Sequence, residues 1–145
     1  MYHKICRIIA FVLVMAALLN TGAFAAYNPP DSPDASAYIS SYSVSIINGG
    51  SGKLKVSFYV TGTGTMNKIG ATCIKIYTSS GSHVGTIWNT DSGRSGMLGS
   101  NTIYHSDVET YTVTPGSYYV KVSIYAKNSS GSDAITVTTG NKTIT

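Results

Sequence analysis

The sequence predicts an all-β fold, an antiparallel two-sheet sandwich of about seven strands. Two segments alternate strictly between apolar and polar residues, and turns rich in Gly, Ser and Asn recur at a spacing of roughly 8–12 residues. No segment carries an apolar stripe at helical spacing. Because each predicted strand is apolar on one face, two sheets packed face to face would bury these faces. A small closed barrel is the alternative.

The clearest strand covers residues 53–60, in which every second residue is apolar: Leu54, Val56, Phe58 and Val60. A preceding strand is predicted over residues 38–47. The intervening Asn48-Gly-Gly-Ser-Gly52 contains residues that tolerate positive φ. The two strands are therefore expected to form a hairpin.

A second alternating strand is predicted over residues 117–127, with Val120, Val122 and Ile124 toward the core. Further strands are predicted over residues 69–77, 83–88, 103–113 and 133–139, the last with an extension to residue 145 left open.

In the strand over residues 69–77, alternation directs Ile74 and Ile76 to the core and Cys73 to the solvent. Free cysteines are nevertheless among the most buried residues, so both burial and exposure of Cys73 stay open, as does an intermolecular disulfide.

The first 26 residues have the pattern of a secretory signal peptide. Lys4 and Arg7 precede an apolar run over residues 8–19, which ends at Ala23-Phe-Ala-Ala26. A Pro-rich, mobile leader is predicted over residues 27–37, followed by a single domain over residues 38–145. We therefore expect a secreted or cell-surface protein with no membrane span after cleavage, whose lone remaining cysteine is Cys73.

The stretch from Val113 to Asp133 resembles the corresponding part of a fibronectin type III domain. An aliphatic residue, Pro115-Gly116, a corner tyrosine, alternating valines and an Asn128–Gly131 turn follow one another as in that family. Counting from Pro115 favours Tyr119 as the corner residue, whereas counting back from Ala126 favours Tyr118. The sequence departs from the family at Phe58, where a tryptophan is common.

The chain is also similar to a family of small exported bacterial proteins known only as a domain of unknown function. The matching segments are residues 40–44, 61–71, 74–77 and 125–133. This resemblance implies a secreted, immunoglobulin-like β-sandwich and implies no activity.

The acidic and histidine residues give little support for catalysis. Asp107 and Glu109 would share one face of a strand, about 7 Å apart, where solvated carboxylates are the ordinary interpretation. His83 and His105 have no second ligand near them in the sequence, so neither a metal nor another cofactor is expected. The sequence predicts that the protein is not an enzyme.

A binding surface is predicted where the third and sixth strands become neighbours. Their polar faces interleave tyrosine and lysine, residue types that stack on sugars or contact protein partners. Without Lys4 and Arg7, eight basic residues remain against six acidic ones, an excess too small to indicate nucleic acid. The predicted face consists of Lys75, Tyr77, Tyr119, Lys121, Tyr125 and Lys127.

Trp88 and the Gly-rich loop over residues 89–101, which contains Arg94, are further candidates. Trp88 is either an anchor at the rim of a binding surface or a residue at the edge of the core.

These observations favour a non-catalytic extracellular binding or adhesion module for an unknown protein or glycan. A structural or self-assembling cell-envelope protein is the alternative, because sandwich edges offer unpaired backbone and an oligomer is possible. A secreted hydrolase that uses Asp107, Glu109 or a histidine ranks third.

Overall fold

The computed structural model describes residues 36–145 as nine β-strands and a single turn of 3₁₀ helix. The predictions for residues 1–26 and for most of the leader lie outside this part of the chain. The strands are β1 (Ile39–Asn48), β2 (Lys53–Met66), β3 (Lys68–Thr78), β4 (His83–Trp88), β5 (Leu98–Gly99), β6 (Thr102–Thr112), β7 (Gly116–Lys127), β8 (Ser132–Thr138) and β9 (Lys142–Ile144), and the 3₁₀ turn is Ser95–Met97.

The strands form two antiparallel sheets, which confirms the predicted all-β sandwich. One sheet has the order β1-β2-β6, and the other has the order β4-β3-β7-β8 with β5 on β3 and β9 on β7. The expected hairpin joins β1 to β2 through Gly50 and Gly52, whose positive φ values of 74° and 69° suit glycine.

The core lies between β2 and β7, the strands that carry the two clearest alternating segments. Phe58, Val122 and Ile124 are fully or almost fully buried, as are the aliphatic residues that share their faces. Ile74 and Ile76 of β3 join them, as alternation predicted. Period-two geometry then directs every intervening residue of these strands to an outer face.

The C-terminal strand is divided in two. Thr139 ends the β8 ladder, since its hydroxyl accepts a hydrogen bond from the Val120 backbone N–H at 3.0 Å. The chain then turns through Gly140 and Asn141, and β9 pairs with the start of β7. Ile144 is fully buried there, so β9 covers an end of the core that β8 does not reach.

Tyr118 forms the corner between β6 and β7. Its hydroxyl donates to the Thr114 carbonyl at 2.7 Å, and its ring is buried. Tyr119 points to the outer face, so the structure selects Tyr118 from the two alternatives.

Ser36 and Ala37, which the sequence placed in the leader, are hydrogen-bonded to the sandwich. The Ser36 hydroxyl donates to the Asp133 carboxylate, which also accepts from the Tyr38 backbone N–H at 2.9 Å. These hydrogen bonds lower the pKa of Asp133, and the bond from Ser36 makes the largest contribution. Thr63 additionally donates its hydroxyl to the Ala37 carbonyl at 3.0 Å.

Replacing the corner tyrosine should destabilise the domain. Tyr118→Phe removes a hydroxyl that satisfies a backbone carbonyl, so we expect the free energy of unfolding to fall by about 1 kcal/mol in denaturant titrations. Tyr119→Phe is the matched control, and it should leave the unfolding free energy unchanged. Equal stabilities for the two variants would contradict the role assigned to Tyr118.

Candidate functional site

The outer face of the six-stranded sheet carries all six tyrosines and lysines that the sequence proposed, and we call it the Tyr/Lys face. Tyr77 lies opposite Tyr119 on the neighbouring strand, and their rings stack at 5.2 Å between centroids with an interplanar angle of 11°. The Lys121 ammonium lies 5.6 Å from the centre of the Tyr77 ring. His83 of β4 meets the same ring edge-on at 5.3 Å.

Lysines lie directly opposite each other at two places on this face. Lys75 pairs with Lys121, and Lys68 pairs with Lys127 further along the same two strands. Between them Tyr125 lies opposite Gly70, so no side chain faces its ring across the β3–β7 ladder. The six residue steps from Lys121 to Lys127 correspond to about 20 Å along the strand.

Trp88 belongs to this face and not to the core. It is 48% exposed, and its strand partner on β3 is Cys73. Asp91 fixes the chain just beyond it, because its carboxylate accepts the Trp88 backbone N–H at 2.8 Å. This exposure excludes the edge-of-core alternative for Trp88, and its role as a binding anchor stays a prediction.

Cys73 is on the outer face but only 3% exposed, so of the two alternatives left open the structure selects burial. The β3–β7 register shifts between Ala71 and Cys73, and the thiol-bearing residue lies between Trp88 and Ser123 on the adjacent strands. Burial raises the pKa of the Cys73 thiol, and Lys75 offsets this in part. The thiol is thus a poor nucleophile in the folded domain.

The Gly-rich loop folds back onto the sandwich between β3 and β6. Met97 is fully buried, and the His105 ring nitrogen Nε2 lies 2.6 Å from the Gly96 carbonyl. At Gly70, with φ 144°, a Cβ would lie 2.1 Å from the Met97 carbonyl oxygen. Only glycine permits this close approach, so the loop closes one opening of the sandwich.

Arg94 pairs with Glu109 inside the protein. Its guanidinium contacts the Glu109 carboxylate and donates to the Thr110 carbonyl at 3.3 Å. Glu109 is only 4% exposed because its strand partner is Val56, a core residue. The expectation of a solvated carboxylate at this position is wrong, and the predicted binding residue Arg94 is not on the Tyr/Lys face.

Among the groups considered for hydrolysis, His83 is separated from the others, which share the inner face of β6. His83 lies on β4, where Nε2 is 2.9 Å from the Thr86 hydroxyl, whereas His105 lies on β6 of the other sheet. Asp107 shares the inner face of β6 with Glu109, and its carboxylate accepts the Val108 backbone N–H at 2.8 Å. Within residues 36–145, no three His, Cys, Asp or Glu side chains form a metal-binding group.

An open groove of about 400 Å³ lies beside the Tyr/Lys face. Tyr119 and Lys121 form one side, and hydroxyl and amide groups of the β8–β9 connection form the other. No local sequence pattern indicates this groove, because its lining comes together only when β8 and β9 pair with β7. The lining residues are Ser79, Tyr119, Lys121, Thr138, Thr139, Gly140 and Asn141.

Comparisons with protein-family models, curated proteins and solved structures gave no match to this chain. In residues 36–145, no helix has the length and apolar character needed to cross a membrane.

Removing Arg94 should make stability depend more strongly on pH. Burial raises the pKa of Glu109 and Arg94 opposes that rise, so Arg94→Met should raise the pKa further. When folding raises the pKa of a carboxyl, the protein loses stability as the pH rises from the ordinary pKa of that carboxyl through the raised value. Because Arg94 is itself 33% exposed, we expect a loss of about 2 kcal/mol at about pH 8 and a clearly smaller loss at about pH 4.

The control for this experiment is the double variant Arg94→Met/Glu109→Gln, which removes both charges. Its unfolding free energy at about pH 8 should recover most of the loss. If Arg94→Met lost the same stability at both pH values, the ion pair would not be the cause.

Proposed function

We propose that this protein is a non-catalytic extracellular binding or adhesion module and that the Tyr/Lys face together with Trp88 is its contact surface. The observation that carries the proposal is that the stacked Tyr77–Tyr119 pair and the uncovered Trp88 lie on the same sheet face. Rigid aromatic rings supply much contact area at little entropic cost, and Tyr and Trp dominate binding energies at many interfaces.

We further propose that the sandwich is of the fibronectin type III/immunoglobulin-like type. Support comes from its division into sheets of three and four main strands and from the Tyr118 hydroxyl bonded to backbone at the corner before β7. Domains of this architecture commonly serve at cell surfaces.

An extracellular location is supported by the sequence of residues 1–26, which has the charge, apolar run and small-residue site of a signal peptide. A small core that contains no disulfide within residues 36–145 is compatible with export, since the one thiol there is buried.

Binding can be tested on glycan arrays, purified cell walls and surface-protein extracts. We expect at least one positive ligand, whose affinity falls about tenfold or more in Tyr119→Ser, because that change removes half of the aromatic stack.

The matched control is Tyr59→Ser on the outer face of the three-stranded sheet. Tyr59 is exposed and, like Tyr119, stacks on a tyrosine, here Tyr104 at 6.2 Å between ring centroids. The proposal fails if all three screens are negative at high protein concentration, or if the two variants weaken binding equally.

The second candidate is a structural or self-assembling envelope protein, and the edge strand β1 favours it. All ten residues from Ile39 to Asn48 are uncharged and none is proline, and β1 has a strand neighbour on one side only. Soluble proteins usually protect such edges with charge, proline or bulges. Here a bulge near Ile39 leaves the rest of the strand open to pairing with a second chain.

Self-association through β1 predicts a concentration-dependent increase in mass in analytical ultracentrifugation. Ser43→Lys should suppress it, since lysine on an edge strand opposes strand addition. Ser57→Lys adds the same charge on the same face but on the central strand β2, so it should have little effect. A protein that stays monomeric over a wide concentration range would exclude this candidate.

A further inference from the structure

We infer that the ligand of the Tyr/Lys face is a linear polysaccharide that carries negative charges along its length. The inference rests on the proposed binding function and specifies the chemical class of its ligand. It is carried by the arrangement of lysines, by the acidic residues that are engaged elsewhere, and by the aromatic and hydroxyl groups between the lysines.

Without a bound anion, the two lysine pairs destabilise the folded protein. Like charges directly opposite each other on neighbouring strands destabilise a sheet, and β3 and β7 have two such pairs on one face. Lys75 faces Lys121, and Lys68 faces Lys127. An anion that lies across each pair would remove the repulsion, so these positions are better suited to the bound protein than to the free one.

No acidic side chain among residues 36–145 forms an ion pair with these lysines. Each described acid is engaged elsewhere: Glu109 by Arg94, Asp133 by Ser36, Asp91 by the Trp88 backbone and Asp107 by the Val108 backbone. Within the described domain, the lysines of the Tyr/Lys face therefore have no carboxylate as an ion-pair partner, although the net charge of the chain is small.

The distance between the two lysine pairs indicates a polymer. They lie about 20 Å apart along the strands, too far for one small anion to bridge. Between them Tyr125 offers a ring opposite a glycine, and Tyr77 and Tyr119 offer a stacked pair beside Lys121. A polymer whose charged groups and flat faces repeat along its length would match this alternation of lysines and tyrosine rings.

The groove next to Lys121 favours sugars among the polyanions. Ser79, Thr138 and Thr139 line it with hydroxyls, and Asn141 adds an amide. These groups both donate and accept hydrogen bonds, as sugar hydroxyls do. Aromatic rings beside such groups complete a surface on which a pyranose can stack and be held at its edge.

The test uses the secreted form of the full chain and two charged polymers, each with a neutral match. Polygalacturonate is compared with its methyl ester, and dextran sulfate with dextran, in affinity electrophoresis and calorimetry. We expect at least one charged polymer to bind and its neutral match to bind about tenfold or more weakly. Binding should also weaken as salt is added, because the charges lie at the surface.

The double variant Lys75→Gln/Lys121→Gln should lose at least about tenfold in affinity while its midpoint in denaturant stays the same or rises, because the repulsion is relieved. Lys53→Gln/Lys55→Gln removes the same charge from the other sheet and should bind as the unaltered protein does. Equal losses in the two variants would show general charge attraction and overturn the inference.

The remaining outcomes separate the inference from the proposed function. Equal binding of charged and neutral polymers, or binding of a protein ligand alone, overturns the polyanion inference and leaves the binding module in place. Single-stranded DNA bound as tightly as the charged polysaccharides overturns the assignment to sugars. Failure of all polymers together with negative glycan, cell-wall and protein screens overturns both.

Discussion

The apolar faces of β2 and β7 pack against each other, and the other strands take their places from this contact. Each of the two strands is the centre of a sheet, with β1 and β6 beside β2 and with β3, β8 and β9 beside β7. Because side chains alternate across a strand, burying Val120, Val122 and Ile124 directs Tyr119, Lys121 and Tyr125 outward. The candidate binding surface is thus the reverse side of the core, held by the same register.

The loop between β4 and β6 has a structural role that its composition did not indicate. Glycine-rich loops at the end of a sandwich are commonly exposed and functional. Here Met97 fills the core, Gly70 allows the loop backbone to approach, and Arg94 neutralises the one buried carboxylate of the described chain. These contacts remove the loop from the candidate site and leave Trp88, just before it, at the rim.

Period-two alternation was sufficient to predict the fold, the hairpin and the composition of the Tyr/Lys face. It failed where the backbone or the neighbours depart from a regular ladder. Cys73 follows a bulge and is covered by its partners on the two neighbouring strands. It is buried although its position in the alternation predicts exposure to solvent. Glu109 is buried opposite Val56 and is neutralised by Arg94, 15 residues away in sequence. The groove exists because Thr138 and Ser79 meet only in the folded sheet. Such contacts are set by tertiary structure, which local patterns do not contain.

The two outer faces of the sandwich differ in a way that separates the two candidate functions. The six-stranded sheet offers opposed lysines and stacked rings, whereas the three-stranded sheet ends in the uncharged strand β1 and exposes Ile47, Tyr59 and Val108. A ligand on the Tyr/Lys face would leave β1 free, because the core lies between them. Self-association through β1 could then place several Tyr/Lys faces along one polymer, and linked sites of modest affinity bind a repetitive chain far more tightly than one site does. The two activities are therefore compatible in one molecule, and the effect of Ser43→Lys on polymer binding would show whether they act together.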